Sequence, residues 1–362
     1  MFILIFSYFC RTLEIKNRNY PNTTGGAEQL QKIKNQNPMI VITGALGFIG
    51  SSLITYLNEK GHNTDIFVVD DFYKDHKEIN LDKKFIREWV HRDIFLETFA
   101  NIASQISFVF HLGARTDTTS KDKATFDKLN LQYSKDIWNI CAQNNVPLIY
   151  ASSAATYGDG SNGYSDDHKG LAKLEPLNAY AKSKHQFDLW ALKQKTAPPF
   201  WVGLKFFNVY GPNEYHKKRM ASVVFHTAEQ IKNSGEMKLF KSHKKGIANG
   251  EQARDFIYVK DIVKVLFHFF RNTKKASGIY NVGTGKARTF NDLANNTFRA
   301  LGLEAEISYI DTPQDIRKNY QYFTEADITK LRKVGGYRSK FYSLEDGVGD
   351  YVKKYLVGKK IY

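Results

Sequence analysis

An apolar run that ends in glycine, followed at once by two more glycines at regular spacing, constrains this chain more than any other stretch of it. MIVITG, Met39 to Gly44, is apolar almost throughout, which suits a strand covered on both faces inside a parallel sheet. The stretch from Gly47 to Lys60 then reads as a helix, with Gly61 as its stop. Gly44, Gly47 and Gly50 punctuate the junction, with Phe48 and Ile49 between them. Residues without a Cβ let such a turn close tightly and let backbone N–H groups approach a pyrophosphate at the positive end of the helix dipole. A glycine triplet alone also occurs in ordinary strand–helix turns. Here the next strand, DIFVVDD, ends in acid, and Asp70 lies 20 residues after Gly50, a spacing that suits a carboxylate on an adenosine ribose.

The alternation continues down the chain. SFVFHLGA (Ser107 to Ala114) and PLIYASS (Pro147 to Ser153) read as further buried strands. Between them lies a long helical stretch, roughly Asp122 to Asn144, and another helix runs from about Asn178 to Lys193. FWVGLKFFNVYGP, Phe200 to Pro212, reads as strand and then loop. Alternating strand and helix mean βαβ units, hence an α/β fold with a Rossmann-type, doubly wound parallel sheet. The three-residue glycine spacing is that of short-chain dehydrogenases. Beyond Pro212 the pattern is irregular: helical stretches such as Ala221–Ser234 and Val259–Arg271 mix with short strand-like pieces, and the basic segment Lys241–Ala253 reads as a loop. The expected organisation is an N-terminal extension at 1–38, a dinucleotide-binding domain at 39–206 and a smaller mixed α/β substrate domain at 207–362, with segments around 256–285 returning to the core.

Composition leaves few other classes open. Hydrophobic residues are 42% and charged residues 25%, as in soluble globular proteins, and no apolar run approaches the roughly 18 residues that cross a bilayer. The net charge of +15 comes from lysines spread along the chain, the pattern of a solvated surface, although a cleft for a polyanionic ligand would use the same charge. No helix-turn-helix, zinc finger or aromatic RNA-binding signature is present, so no nucleic-acid partner is expected. Cys10 and Cys141 cannot build a disulfide framework, and no Cys/His cluster has metal-ligand spacing. The expectations are no metal, no membrane and a reducing cytoplasm. MFILIFSYFC at the start is too short to span a membrane and has no charged region before it or prompt cleavage site after it. The polar, Asn-rich remainder cannot bury enough apolar surface to offset its ordering, so residues 1–38 are expected to be mobile and dispensable, with Met39 as the functional start.

The chemistry-bearing motif is Tyr180-x-x-x-Lys184 within a helix, two side chains on one face. Tyrosine ordinarily titrates near 10; an adjacent ammonium and a positive nicotinamide ring favour tyrosinate and make it a usable base. The spacing alone is frequent by chance. It gains meaning from order: YASSAATYG precedes it at the end of a strand, so Ser153 can hold a substrate hydroxyl while Tyr180 takes its proton. Gly44, Ser153, Tyr180 and Lys184 then follow one another in the order such a constellation needs. A third motif, FNVYGPNEYHKKRMASVVFH (Phe207 to His226), places Asn208 and the Tyr210-Gly211-Pro212 turn where the sheet meets the second domain, a usual ligand crevice. Within it, Lys217 reads either as part of a solvated basic run or as a phosphate contact or catalytic amine.

With these residues in view, the chain from Met39 to about Gly358 resembles the ADP-L-glycero-D-manno-heptose 6-epimerase family of extended short-chain dehydrogenases, enzymes of lipopolysaccharide inner-core precursor synthesis. The resemblance is carried by YASSAATYG, FNVYGP, HK followed by MASVVFH, KLF (Lys238–Phe240), RDFIYVKD (Arg254–Asp261), NVGTG (Asn281–Gly285) and YQYFTEAD (Tyr320–Asp327). FNVYGP and NVGTG recur widely among extended short-chain dehydrogenases; the MASV segment and YQ-x-FT-x-AD are more particular.

The resemblance implies a homo-oligomer (a pentamer), an ADP-heptose substrate and inversion at its carbon 6. It implies an NADP cofactor, with NAD as the other possibility. It implies Ser153, Tyr180 and Lys184 at the reaction centre, with Lys217 as a second acid/base also close to the cofactor. It places Asn208, Arg219, His226, Phe240, Arg254 and Tyr320, with Ser153, on the ADP-sugar. It places Asp71, Leu112, Gly113, Ala114, Arg115, Thr116, Asn130 and Val209 near the cofactor. Lys77 and Arg92 match basic positions that would pair with a 2′-phosphate.

Four positions depart from the family pattern: Arg219 stands where serine is usual, Leu112 replaces an acidic residue, the 241–253 loop is longer, and Asp71 replaces asparagine. Epimerisation at an unactivated carbinol carbon needs temporary oxidation, and an exocyclic aldehyde that turns about one bond would let Tyr180 and Lys217 serve its two faces. A dehydratase of the same fold would carry a carboxyl group just after the fifth strand, where Ser153-Ala154-Ala155 has none. A simple reductase would release its cofactor at each turnover, and a non-catalytic scaffold would have no need of Ser153, Tyr180 and Lys184 together.

Overall fold

The computed structural model describes residues 38–72, 76–317 and 320–362. The expectations for the N-terminal segment lie outside the described residues, apart from Pro38. Residues from Pro38 onward form one compact unit.

Seven parallel strands make the central sheet, in the spatial order β11-β6-β5-β4-β1-β2-β3. They are β1 (Met39–Thr43), β2 (Ile66–Asp70), β3 (Glu88–His91), β4 (Ile106–His111), β5 (Leu148–Ser153), β6 (Trp201–Phe206) and β11 (Gly278–Val282). β1 and β2 are buried at every position, as continuous apolar runs covered on both faces should be. Five helices accompany the sheet: α1 (Phe48–Glu59), α2 (Arg92–Ile102), a helical run α3 (residues 123–143), α4 (Ala179–Leu192) and α6 (Val259–Arg271). Leu53, Ile54 and Leu57 of α1 join Ile262, Val263 and Leu266 of α6 in the largest hydrophobic cluster.

Strand order reverses between β1 and β4, so the chain leaves these two neighbours in opposite directions and opens a crevice at their carboxyl ends. The glycine turn and residues 112–116 form its walls. α3 departs from a regular helix: Lys123–Phe126 and Tyr133–Gln143 are α-helical, with a π-helical turn, Asp127–Gln132, between them. β3 and α2 were not apparent from sequence. EWVH is a four-residue strand at the sheet's edge, too short to show a period.

After β6 the chain builds small sheets beside the large one. β7 (Asn208–Tyr210) pairs with β10 (Phe256–Tyr258), β8 (Met237–Phe240) with β13 (Ile307–Ile310), and β9 (Ala253–Arg254) with β12 (Arg288–Thr289). Helices α5 (Val223–Ser234), α7 (Phe290–Leu301) and α8 (Leu344–Tyr351) pack around them. Residues 241–252 have no regular structure, as their composition predicts. β11 joins the main sheet beside β6, so the chain returns to the core after its excursion.

Candidate active site

The cofactor end is built on the β1–α1 turn. Gly44 has φ +70°, and a Cβ there would fall 2.6 Å from the Cα of Gly113; one on Gly50 would collide with the carbonyl oxygen of Gly44. Both positions therefore need glycine for the strand, helix and 112–116 run to approach. Gly47 caps α1 without a side-chain acceptor, so the first N–H groups of the helix are open to an anion.

At the end of β2, the buried Asp70 carboxylate accepts from the N–H of Leu46 at 2.9 Å and from that of Asp71 at 2.7 Å, and pairs with Lys77 at 3.0 Å. It shapes the glycine turn as well as facing the crevice. Asp71 pairs with Arg92 at 2.8 Å and with His91 at 3.3 Å. Both basic groups expected at a 2′-phosphate thus rest on carboxylates.

Asn130, wholly buried on the π-helical turn, joins the crevice to the α4 helix. Its Oδ1 accepts from the N–H of Arg115 at 2.8 Å; its Nδ2 donates to the Arg115 carbonyl at 2.9 Å and to Ser183 Oγ at 3.0 Å. Ser183 donates in turn to the carbonyl of Tyr180 at 2.7 Å. The widened turn thus reaches two elements at once. A parallel chain runs from the Gly113 N–H to Thr43 Oγ1, on to His111 Nδ1, then from His111 Nε2 to Ser134 Oγ and the Asn130 carbonyl. His111, Ser134 and Ser183 escaped the sequence reading, although Ser183 directly precedes Lys184. Their work is to hold backbone, which leaves no mark in a motif.

Tyr180 and Lys184 lie one turn apart on α4, and Tyr180 neighbours Ser153 at the end of β5. Burial pushes the Lys184 ammonium down to about 8, against the pull of the Asp188 carboxylate one turn further on. Burial also raises the Tyr180 phenol, with the Ser153 hydroxyl opposing and Asp188 adding to the rise. The expected tyrosinate is therefore not favoured by the protein alone: loss of hydration outweighs the help of the Ser153 hydroxyl.

Lys217 lies elsewhere. It sits on the 3-10 turn Tyr215–Met220, its Nζ 5.2 Å from the centre of the Phe48 ring at the start of α1. Among the described residues no hydrogen bond, ion pair or ring contact joins it to Ser153, Tyr180 or Lys184. Burial lowers its ammonium, and Glu214 partly restores it. Arg219, on the same turn, is exposed, whereas Val209 of β7 is half-buried.

Of the other residues expected on the ADP-sugar, Arg254 and Tyr320 are brought together. Arg254 of β9 is buried, donates to the carbonyls of Ala253 and Gln321, and lies 5.5 Å from the ring of Tyr320. Asn208 accepts from Thr324 at 3.3 Å. Phe240 ends β8, and its carbonyl accepts from Gln252. His226, on α5, stacks edgewise on Phe225. Among the described residues no helix is long and apolar enough to cross a membrane.

A glycine turn at the switch point of a parallel sheet, with Ser153, Tyr180 and Lys184 beside it, defines the short-chain dehydrogenase class that works on nucleotide sugars with a nicotinamide cofactor. The chain belongs to the NAD dependent epimerase/dehydratase family, whose profile matches residues 40–283. Within that family it is 49% identical over 334 residues to the ADP-L-glycero-D-manno-heptose-6-epimerase of Fusobacterium nucleatum, covering 90% of this chain and 100% of the relative. It is 46% identical over 320 residues to the enzyme of that name from Nitratidesulfovibrio vulgaris, covering 88% and 98%. The crystal structure of the Helicobacter pylori ADP-L-glycero-D-manno-heptose-6-epimerase superposes with a TM-score of 0.74 at 29% identity, over 88% of this chain and 96% of that one.

Proposed function

We propose that this chain inverts carbon 6 of an ADP-linked glycero-manno-heptose with a tightly held NADP, as a step in making lipopolysaccharide core precursors. The observation that carries the reading is that Ser153, at the end of β5, neighbours Tyr180, one helical turn from Lys184 on α4, a helix joined through Ser183 and Asn130 to the wall of the dinucleotide crevice. The identity to relatives named for this reaction supports the substrate.

In this reading the glycine turn and the α1 N-terminus hold the pyrophosphate, Asp70 the ribose, and Lys77 with Arg92 a 2′-phosphate. Residues 112–116, Asn130 and Val209 line the nicotinamide end. The nicotinamide, when bound, supplies hydride acceptance and return, and its positive ring favours the Tyr180 anion that the protein alone does not. Ser153 orients the carbinol hydroxyl, Tyr180 takes its proton, and the Lys184 ammonium holds the charge that results. Lys217 would exchange a proton with the carbonyl oxygen once the aldehyde has turned to offer its opposite face. Asn208, Arg219, His226, Phe240, Arg254 and Tyr320 grip the ADP-sugar. Assembly as a homo-oligomer and a cytoplasmic location rest on the family alone.

The test is incubation of purified protein with ADP-D-glycero-D-manno-heptose, followed by separation of the two epimers. Interconversion without net NADPH is the expected result. Stoichiometric release of reduced cofactor would make the protein a dehydrogenase, and no turnover would remove the substrate assignment.

A further inference from the structure

Between the end of β7 and the start of α5 the chain makes an excursion, residues 211–222, which carries Lys217 and Arg219. A single side chain ties its two ends. Glu214 is wholly shielded from solvent. One carboxylate oxygen accepts from the Gly211 N–H at 3.2 Å and from Ser222 Oγ at 2.6 Å; the other accepts from the Ser222 N–H at 2.5 Å. The Glu214 backbone carbonyl accepts from the N–H of Lys217 at 2.9 Å, and Ser222 caps α5. Asn213 and Lys218 take positive φ values of 76° and 51°, conformations that persist only where the surroundings impose them.

A buried carboxylate with three donors and a nearby ammonium is costly unless the charge is used. Among the described residues the neighbouring groups are Tyr351 and Tyr215, which are phenols, and His216, whose Nδ1 lies 3.3 Å from Asn80. Burial raises the Glu214 carboxyl and lowers the Lys217 ammonium, and the attraction between the two opposes both shifts.

We propose that Glu214 is a positioning residue for epimerisation: it closes the 211–222 segment so that Lys217, three residues on and bonded to its backbone carbonyl, is presented over Phe48 at the crevice with a carboxylate in the same turn. The proposal rests on the reading of Lys217 as the second acid/base.

Two variants separate shape from charge. Glu214→Gln keeps an acceptor but loses the charge; the limb of the pH–rate profile that belongs to Lys217 should move to lower pH. Glu214→Asp keeps the charge on a shorter arm; it should leave that limb in place and lower kcat by at least about tenfold, the scale of a displaced acid/base. A glutamine variant with the wild-type profile, or an aspartate variant with wild-type kcat, would overturn the proposal, and the aspartate arm stands even if the glutamine variant fails to fold. Lys217→Met in the same assay tests the underlying reading: it should abolish epimerisation while still oxidising or reducing an aldehyde analogue on the Tyr180 face. If that variant epimerises normally, the Lys217 reading falls first. If it behaves as expected and the glutamine profile is unmoved, only the role of Glu214 falls.

Discussion

The ammonium of Lys205 lies 2.6 Å from the carboxylate of Asp188, and neither side chain has any contact with solvent. Lys205 comes from β6 and Asp188 from α4, where it continues the stripe begun by Tyr180 and Lys184. Tyr150 and Ser152 also donate to Asp188, at 3.0 and 2.7 Å, and Lys205 donates to Thr156 at 2.7 Å. The pair therefore fastens the strand end that carries Ser153 to the helix that carries Tyr180. Removing one partner strands a buried charge, which costs about 3–5 kcal/mol. Lys205→Met should lose stability on that scale in urea unfolding, and Asp188→Asn added to it should restore most of the loss. Unfolding of the single variant at the wild-type midpoint would show that the pair contributes no such constraint.

Acid stability should depend on His111. Burial, with the Lys184 charge, lowers its imidazole from the ordinary 6.5 to about 3, and its hydrogen bonds with Thr43 and Ser134 suit the neutral ring. Between those two pH values the unfolded chain binds a proton that the folded one refuses. The resulting stability is complete above about 6.5 and is lost as pH falls toward 3. Urea midpoints measured from pH 7 to 4 should therefore fall more steeply for the wild type than for His111→Asn. Parallel slopes would mean that the ring is charged in the folded state.

Tyr180→Phe removes the proton acceptor and leaves the ring. Turnover should drop at least about 100-fold, the usual scale for a positioned acid/base, while cofactor binding and melting temperature stay near wild type. Near-normal turnover would take Tyr180 out of the mechanism.

Cofactor choice should turn on the pairs Asp71–Arg92 and Asp70–Lys77. In the proposed complex a 2′-phosphate competes with Asp71 for the Arg92 guanidinium. Asp71→Asn should release it and tighten NADP relative to NAD by about tenfold, ~1.4 kcal/mol. Lys77→Ala should act in the other direction and weaken NADP more than NAD, because only the former offers a charge-assisted bond. Equal changes for both cofactors, read by titration calorimetry, would show that neither residue faces the phosphate.

Much of this was legible because its causes are local. The apolar runs of β1 and β2, the glycines at 44, 47 and 50, and the four-residue step from Tyr180 to Lys184 each follow from the geometry of one element. Helix α6 was expected at Val259–Arg271 and is found there, because its apolar face has a period that no neighbour disturbs. β3 escaped because an edge strand of four half-polar residues carries no period. The π-helical turn at Asp127–Gln132 escaped because its reason is Asn130 reaching Arg115 and Ser183 at once, a contact across 15 residues in one direction and 53 in the other.

The sequence by itself determined the parallel sheet, the glycine turn and the placing of Tyr180 and Lys184 on one helix face, since hydrophobic period, glycine freedom and helical spacing are written in neighbouring residues. Tertiary structure alone decided the electrostatics. It brought Arg92 onto Asp71, Lys205 onto Asp188 and Glu214 under the Lys217 segment, and it enclosed the half-buried Tyr180 enough that its phenol is raised rather than lowered. The physical reason is that a charge responds to whatever surrounds it in three dimensions. Its partners come from strands and helices distant in the chain, and its loss of hydration is fixed only when those elements have packed.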